Sequence, residues 1–194
     1  KAPLVIASVG SPAPIMETIH EYGGRVFADI ASMRHAEKAV ETGVDGLIIL
    51  TAGAGGQTGW ANPFAFVRAV REIYKGPVVL AGGVSDGVAL RAAMTLGCDL
   101  AYMGTRFIAT QESMAVQAYK DMLVTSSLDD VILTSAFTGL PASKLRPSLV
   151  AAGLDPDALP ERGMINVSED INPDKRPKRW KDTWSAGHSV SGVK

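Results

Sequence analysis

Up to about residue 110, short uninterrupted apolar runs alternate with stretches whose apolar residues recur at helical spacing. The runs are Leu4–Ser8, Val26–Ile30, Gly46–Leu50, Pro77–Ala81 and Leu100–Met103. They are continuous rather than alternating, as expected of parallel strands covered on both faces. Between them the spacing predicts helices over Ser32–Glu41, Pro63–Tyr74 and Gly87–Leu96. A local pattern recurs, Thr42-Gly43-Val44-Asp45 and Leu96-Gly97-Cys98-Asp99, with Tyr22-Gly23-Gly24-Arg25 a looser version. Glycine there supplies the left-handed residue that ends a helix, and the aspartate is expected to face solvent at the base of the next strand.

After residue 110 the pattern changes. Gln111–Val124 reads as a helix, followed by a proline-rich polar stretch with short helical patterns such as Ser143–Gly153. The basic run Asn172–Lys181 reads as a solvated connector, and the tail from Trp184 to Gly192 is built of small residues suited to close backbone approach. The chain thus divides into residues 1–110, 111–183 and 184–194.

Two strand ends carry the strongest signal. Val79-Leu80-Ala81-Gly82-Gly83-Val84-Ser85-Asp86-Gly87 and Leu100-Ala101-Tyr102-Met103-Gly104-Thr105-Arg106-Phe107 each stop on glycine just before a helix. Backbone N–H groups exposed at such turns form a cradle for a phosphate. In a (β/α)₈ barrel that cradle is expected after strands 7 and 8. Five strands cannot close a barrel, which needs about eight. An open five-stranded sheet and a barrel lacking its first three strands are both compatible, and the paired cradle favours the barrel.

Composition narrows the class. Of 194 residues, 46% are apolar and 20% charged, and the net charge of −1 predicts no nucleic-acid partner. No apolar run approaches a membrane span, so no membrane partner is expected and the chain reads as cytoplasmic. The single Cys98 excludes an intramolecular disulfide and reads as a small buried residue at a strand start. Nothing resembles a nucleophile–base pair, a metal-ligand cluster or a Walker A loop. The residues point instead to a phosphorylated cofactor that brings its own reactivity.

The loop after the third strand, Thr51-Ala52-Gly53-Ala54-Gly55-Gly56-Gln57-Thr58-Gly59-Trp60, offers a glycine floor against which a planar ring could lie. Gln57 is its one amide side chain, offering both a donor and an acceptor, and Trp60 is a candidate apolar wall for substrate. Asp29 is read as facing the barrel mouth or capping the following helix. His20 and His35 read as surface or packing residues, whereas His188 lies in a tail shaped to fold over something.

Taken in order, these motifs resemble the nitronate monooxygenase family (2-nitropropane dioxygenases), FMN-containing barrels that include flavin-dependent enoyl-ACP reductases and NADH:quinone reductases. The resemblance rests on Gly43-Val44-Asp45-Gly46, Ala54-Gly55-Gly56-Gln57-Thr58-Gly59, Ala81 to Gly87, Met103 to Phe107 and Trp184-Ser185-Ala186-Gly187. It implies that residues 1–110 are the C-terminal part of a (β/α)₈ TIM barrel, its fourth to eighth strands. Residues 111–183 would form a small helical substrate or lid domain, and the tail would return to the flavin. The implied FMN phosphate rests on the backbone of Gly82, Gly83, Gly104 and Thr105, with the ring near Gly55 and Gly56 and the tail's Ser185 and Gly187.

Many members carry a catalytic histidine where this chain has Gln57. An amide does not titrate near neutrality and cannot remove the α-proton of a neutral nitroalkane, but it can hydrogen-bond a nitronate oxygen. Gln57 and His188 are therefore the catalytic candidates, and Asp29 replaces a lysine that some members carry. The leading expectation is an FMN-dependent oxidase or monooxygenase of alkyl nitronates. The alternatives are an NAD(P)H-dependent reductase of a quinone or an enoyl thioester, a flavin-binding barrel without fast turnover, and a nucleotide-binding barrel of the IMP dehydrogenase kind. The last needs a nucleophilic cysteine at a strand end, where Cys98 is not. A homodimer is a candidate assembly, and no metal is expected.

Overall fold

The computed structural model describes residues 1–159 and 181–193. Its elements in chain order are β1 (Leu4–Ala7), α1 (Ala13–His20), β2 (Arg25–Ile30), α2 (Met33–Thr42), β3 (Gly46–Leu50), β4 (Gly56–Gln57), α3 (Pro63–Ile73), β5 (Val78–Ala81), α4 (Gly87–Leu96), β6 (Leu100–Tyr102), α5 (Thr105–Ile108), α6 (Gln117–Thr125), β7 (Val131–Thr134), β8 (Ala142–Leu145) and α7 (Arg146–Ala151). Short 3₁₀ segments cover Leu128–Asp130 and His188–Val193. The chain separates into two compact units, one of residues 1–52 and 59–102, the other of 53–58 and 103–194.

The first unit is a parallel sheet in the order β1-β2-β3-β5-β6. All five predicted strands are present, as are the three predicted helices, with ends moved by a residue or so. Val26, Leu47, Ile49 and Val78 are wholly buried. One sheet face carries the cluster Phe27, Ile48, Val79 and Ala81, with Leu50 packed against it. Phe27 pairs in register with Gly46, where an added Cβ would lie 2.5 Å from the Phe27 ring. Register puts Ile6 on this same face beside Phe27, and Leu100 and Tyr102 beside Val79 and Ala81. Ile6 is 43% exposed, Leu100 56% and Tyr102 53%, so this face is apolar to both edges yet uncovered there.

The recurring Gly-X-Asp pattern has a role beyond ending helices. Gly43 (φ 81°) and Gly97 (φ 115°) take the left-handed conformation that closes α2 and α4. Asp45 Oδ2 then accepts from the Val26 amide at 2.7 Å and contacts His20 Nε2 at 2.8 Å. Asp99 Oδ2 does the same for the Val78 amide at 2.8 Å and for Arg71 at 2.7 Å. Asp99 is exposed, as the sequence pattern predicts, and Asp45 is half-buried, but each also accepts from an amide at the start of the neighbouring strand, that of the second residue of β2 and that of the first residue of β5. The Val78 amide bond, then the Arg71 pair, hold Asp99 below the usual carboxylate range despite partial burial. Burial acts most strongly on Asp45, but the Val26 amide, His20 and Arg25 together still lower it.

The second unit holds an antiparallel sheet in the order β4-β8-β7 and a core of Leu123, Leu145, Ala186, Val190 and Val193. The region expected to be helical thus contains strands as well. The sequence pattern predicts a helix over Ser143–Gly153, but Ala142–Leu145 lies between two partner strands and is buried, and the helix begins only at Arg146, with Pro147 in its first turn. The helix expected from Gln111 starts at Gln117, after an extended Val116. The basic run before Lys181 lies outside the described residues.

Because the Asp99 carboxylate satisfies a buried strand amide, Asp99→Ala is expected to destabilise the fold by about 1–3 kcal/mol, and Asp99→Asn, which keeps an acceptor, by less. Urea unfolding midpoints measure the difference. The contribution of both aspartates is present above the ordinary carboxylate pKa and is lost as pH falls through their lowered values.

Candidate cofactor and substrate site

The C-terminal ends of the parallel strands in the first unit carry Asp29, Thr51 and the Gly82-Gly83 turn. Thr51 is fully buried, and both its amide and its hydroxyl donate to the Ala81 carbonyl at 3.0 Å, tying the ends of β3 and β5 together. Beyond Ala81 the chain turns through Gly82 (φ 129°) and Gly83 (φ 72°), conformations that a side chain rarely adopts. Gly83 is exposed and a Cβ there would meet nothing within 4 Å. Asp86 then caps α4, accepting from the Ala89 amide at 2.8 Å. Gly59 is needed for a different reason, since its Cβ would sit 2.1 Å from the Leu50 carbonyl oxygen. Trp60 follows it and is 82% exposed.

Asp29 stands near the end of β2, and by alternation its side chain shares the Phe27 face. Its Oδ1 is buried with no hydrogen-bond partner. Burial raises its pKa above the usual carboxylate value, opposed in part by a hydrogen bond from Ser8. It does not cap the following helix; Ser32 does, accepting from the His35 amide at 3.2 Å.

In the second unit the glycine loop and the tail meet. The Gly187 amide donates to Thr105 Oγ1 at 2.9 Å, and the His188 amide to the Gly53 carbonyl at 2.9 Å. A Cβ on Gly55 would lie 2.8 Å from the Gly187 nitrogen, and one on Gly53 would lie 2.7 Å from His188 Nδ1. The tail is fastened further along by Tyr119, whose ring stacks on Trp184 at 5.0 Å and whose hydroxyl donates to the Ser185 carbonyl. Gly55, Thr105, Ser185, Gly187 and His188 are therefore gathered in one unit, with Gly53 and Gly55 glycine because the tail lies on them. Gly56 (φ 71°) and Gly104 remain open, with nothing within 4 Å of an added Cβ. Gln57 sits on β4, opposite Ala142 of β8.

Lys144 had drawn no attention in the sequence. Strand alternation puts it on the same face of the small sheet as Ala142 and Gln57. It is 2% exposed, donates to the Thr183 carbonyl and hydroxyl at 3.2 Å, and stands 5.2 Å from the Phe137 ring centre. Burial pulls its ammonium down to about 8. A lysine in a short polar segment carries no burial signal, so only the pairing of β8 between two strands reveals it. Cys98 is buried as expected, and burial pushes its thiol up to about 11, which leaves it unreactive. His20 pairs with Asp45, and His35 Nδ1 accepts from the Ala31 amide at 3.4 Å. No group of three metal-ligating side chains occurs among the described residues.

A parallel sheet connected through helices, with positive-φ glycine turns at its strand ends, defines an α/β protein. Residues 1–157 match the nitronate monooxygenase family, and the chain belongs to that family. It is 28% identical over 180 residues to a nitronate monooxygenase of Paraburkholderia phytofirmans, covering 88% of this chain and 49% of that protein. It is 32% identical over 139 residues to a Mycobacterium tuberculosis protein named (3aS,4S,5R,7aS)-5-hydroxy-7a-methyl-1-oxo-octahydro-1H-indene-4-carboxyl-CoA dehydrogenase, covering 70% of this chain and 39% of that one. Among solved structures, FabK from Thermotoga maritima superposes with a TM-score of 0.76 at 27% identity, over 98% of this chain and 62% of its own. A nitroalkane oxidase from Streptomyces ansochromogenes superposes with a TM-score of 0.67 at 28% identity, over 74% and 45%. The chain spans about half the length of the curated relatives it matches. The family is one of flavin-dependent oxidoreductases, and no helix among the described residues is long and apolar enough to cross a membrane.

Two outcomes follow from these contacts. Gly55→Ala is expected to loosen the tail and speed proteolysis near residue 187, read by limited digestion and mass spectrometry. Asp29 binds its proton more tightly folded than unfolded, so its contribution lowers stability as pH rises past the ordinary carboxylate range. Asp29→Asn is therefore expected to melt higher than the parent at neutral pH, the gap closing below about pH 4.

Proposed function

We propose that the chain is the FMN-binding part of an oxidoreductase that oxidises alkyl nitronates with dioxygen. Its five parallel strands would be the fourth to eighth of an eight-stranded barrel. The observation that carries the reading is the Gly82-Gly83 turn, whose backbone needs glycine and whose outer side is open. That is the form of turn on which a phosphate can be received by main-chain amides. In the first unit Gly82 and Gly83 would meet a phosphate; in the second unit Gly104 and Thr105 are candidate phosphate contacts, and Gly55, Gly56, Ser185 and Gly187 candidate ring contacts. When bound, FMN supplies the acceptance of electrons from the substrate and their delivery to dioxygen.

The residues of the chain orient and select. Gln57 would hydrogen-bond a nitronate oxygen through its amide N–H, and having no titratable proton it would leave the α-proton of a neutral nitroalkane in place. Trp60 would supply an apolar wall, and His188, held beside Gly53, would bring an imidazole to the loop. A reductase of an enoyl thioester or a quinone using NAD(P)H is the second reading. The similarity to a protein named as a carboxyl-CoA dehydrogenase favours it.

The absorption spectrum of the purified protein tests the cofactor, with bound-flavin bands expected. Anaerobic reduction by ethylnitronate faster than by NADH supports the first reading, and the reverse order supports the second. Nitronate turnover is expected to exceed nitroethane turnover at least tenfold, with Gln57→Ala raising KM for nitronate. Equal turnover of both, unchanged by Gln57→Ala, overturns the role of Gln57.

A further inference from the structure

Near its C-terminal end β2 presents Asp29 on the face that carries Phe27, Ile48, Leu50, Val79 and Ala81. Its register neighbour on β3 is Ile48, and on the β1 side the Ser8 hydroxyl supplies a hydrogen bond. No charged side chain among the described residues influences its acidity. Oδ1 is shut off from water and meets no donor. A buried acceptor in that condition destabilises a fold, and a carboxyl at the ligand end of a parallel sheet is where such a cost has a functional reason.

We propose that Asp29 is a substrate-contacting, specificity-determining residue whose neutral carboxyl donates a hydrogen bond to a small planar oxyanion. The inference rests on the reading of this sheet end as the substrate side of a flavoenzyme. Binding then consumes one proton from solvent. The carboxylate, the proton and the anion combine into a carboxylic acid hydrogen-bonded to the anion, and no covalent bond to the ligand forms. Burial, the dominant influence on the group, already biases it toward the neutral form, and Ser8 opposes this only in part. The ionised form repels the same anion, so affinity declines as pH rises.

Nitrate, a planar oxyanion that is not oxidised, serves as the probe for the full chain as purified. Calorimetry in two buffers of different ionisation heat, repeated from pH 5 to 8, reads affinity and proton uptake together. The parent is expected to take up close to one proton per nitrate at the upper pH, with affinity falling about tenfold per pH unit there. Asp29→Asn, which keeps a donor but cannot ionise, is expected to bind nitrate with no proton uptake and no pH slope. Asp29→Leu is expected to bind at least tenfold more weakly. An infrared band of a protonated carboxyl that grows with nitrate in the parent reports the same event without any substitution. Equal proton uptake in the parent and Asp29→Asn, or no nitrate binding to a parent that holds flavin, overturns the proposal. Loss of flavin bands with the proton uptake retained overturns the functional reading and leaves Asp29 as an anion-responsive carboxyl.

Discussion

Where its strands begin, a parallel sheet needs acceptors from outside the ladder, and in this chain two aspartates supply them. Asp45 and Asp99 each follow a left-handed glycine by two residues, and each accepts from an amide in the first two residues of the strand next door. The glycine stops the helix, one residue turns the chain, and the aspartate fixes the register between two strands at the moment the second begins. Register between strands buried as fully as β3 and β5 has no tolerance for slippage. The placement of Phe27 over Gly46, and of Asp29, Thr51 and Gly82 at the far ends, therefore descends from these bonds.

Glycine does two separate jobs at those far ends. At Gly83 the backbone angle demands it while the space beyond is empty, so the turn is left open to a ligand. At Gly53 and Gly55 the tail fills the space where a side chain would stand, and Thr105 and the Gly53 carbonyl hold it there. The same residue type, abundant in both motifs, serves recognition in one and packing in the other. The Tyr119–Trp184 stack makes the second arrangement durable, because Tyr119 anchors the tail by apolar contact through its ring and by the hydrogen bond of its hydroxyl to the Ser185 carbonyl.

Two ionisable groups stand in apolar surroundings, one in each unit, and burial moves both toward neutrality. Asp29 is raised and Lys144 is lowered. Lys144 is engaged by Thr183 and by the Phe137 ring, whereas one oxygen of Asp29 has no donor. That difference separates a charge accommodated by its fold from a group whose hydrogen bonding is incomplete within it.

The five parallel strands, the helices between them and the glycine turns were legible in the sequence, because continuous apolar runs and helix-ending glycines are local signals. The family was legible for the same reason, in short motifs spaced one strand–helix unit apart. The antiparallel sheet was not legible: β4 is only two residues long, and Ala142–Leu145 becomes a strand through partners 8 and more residues away, against a local helical pattern from Ser143 onward. Nor could local pattern show that Asp45 and Asp99 bond a neighbouring strand, that Gly55 lies under the tail, or that Lys144 is enclosed. Local propensity needs only a residue and its near neighbours, whereas burial and hydrogen-bond satisfaction exist only once distant segments have met.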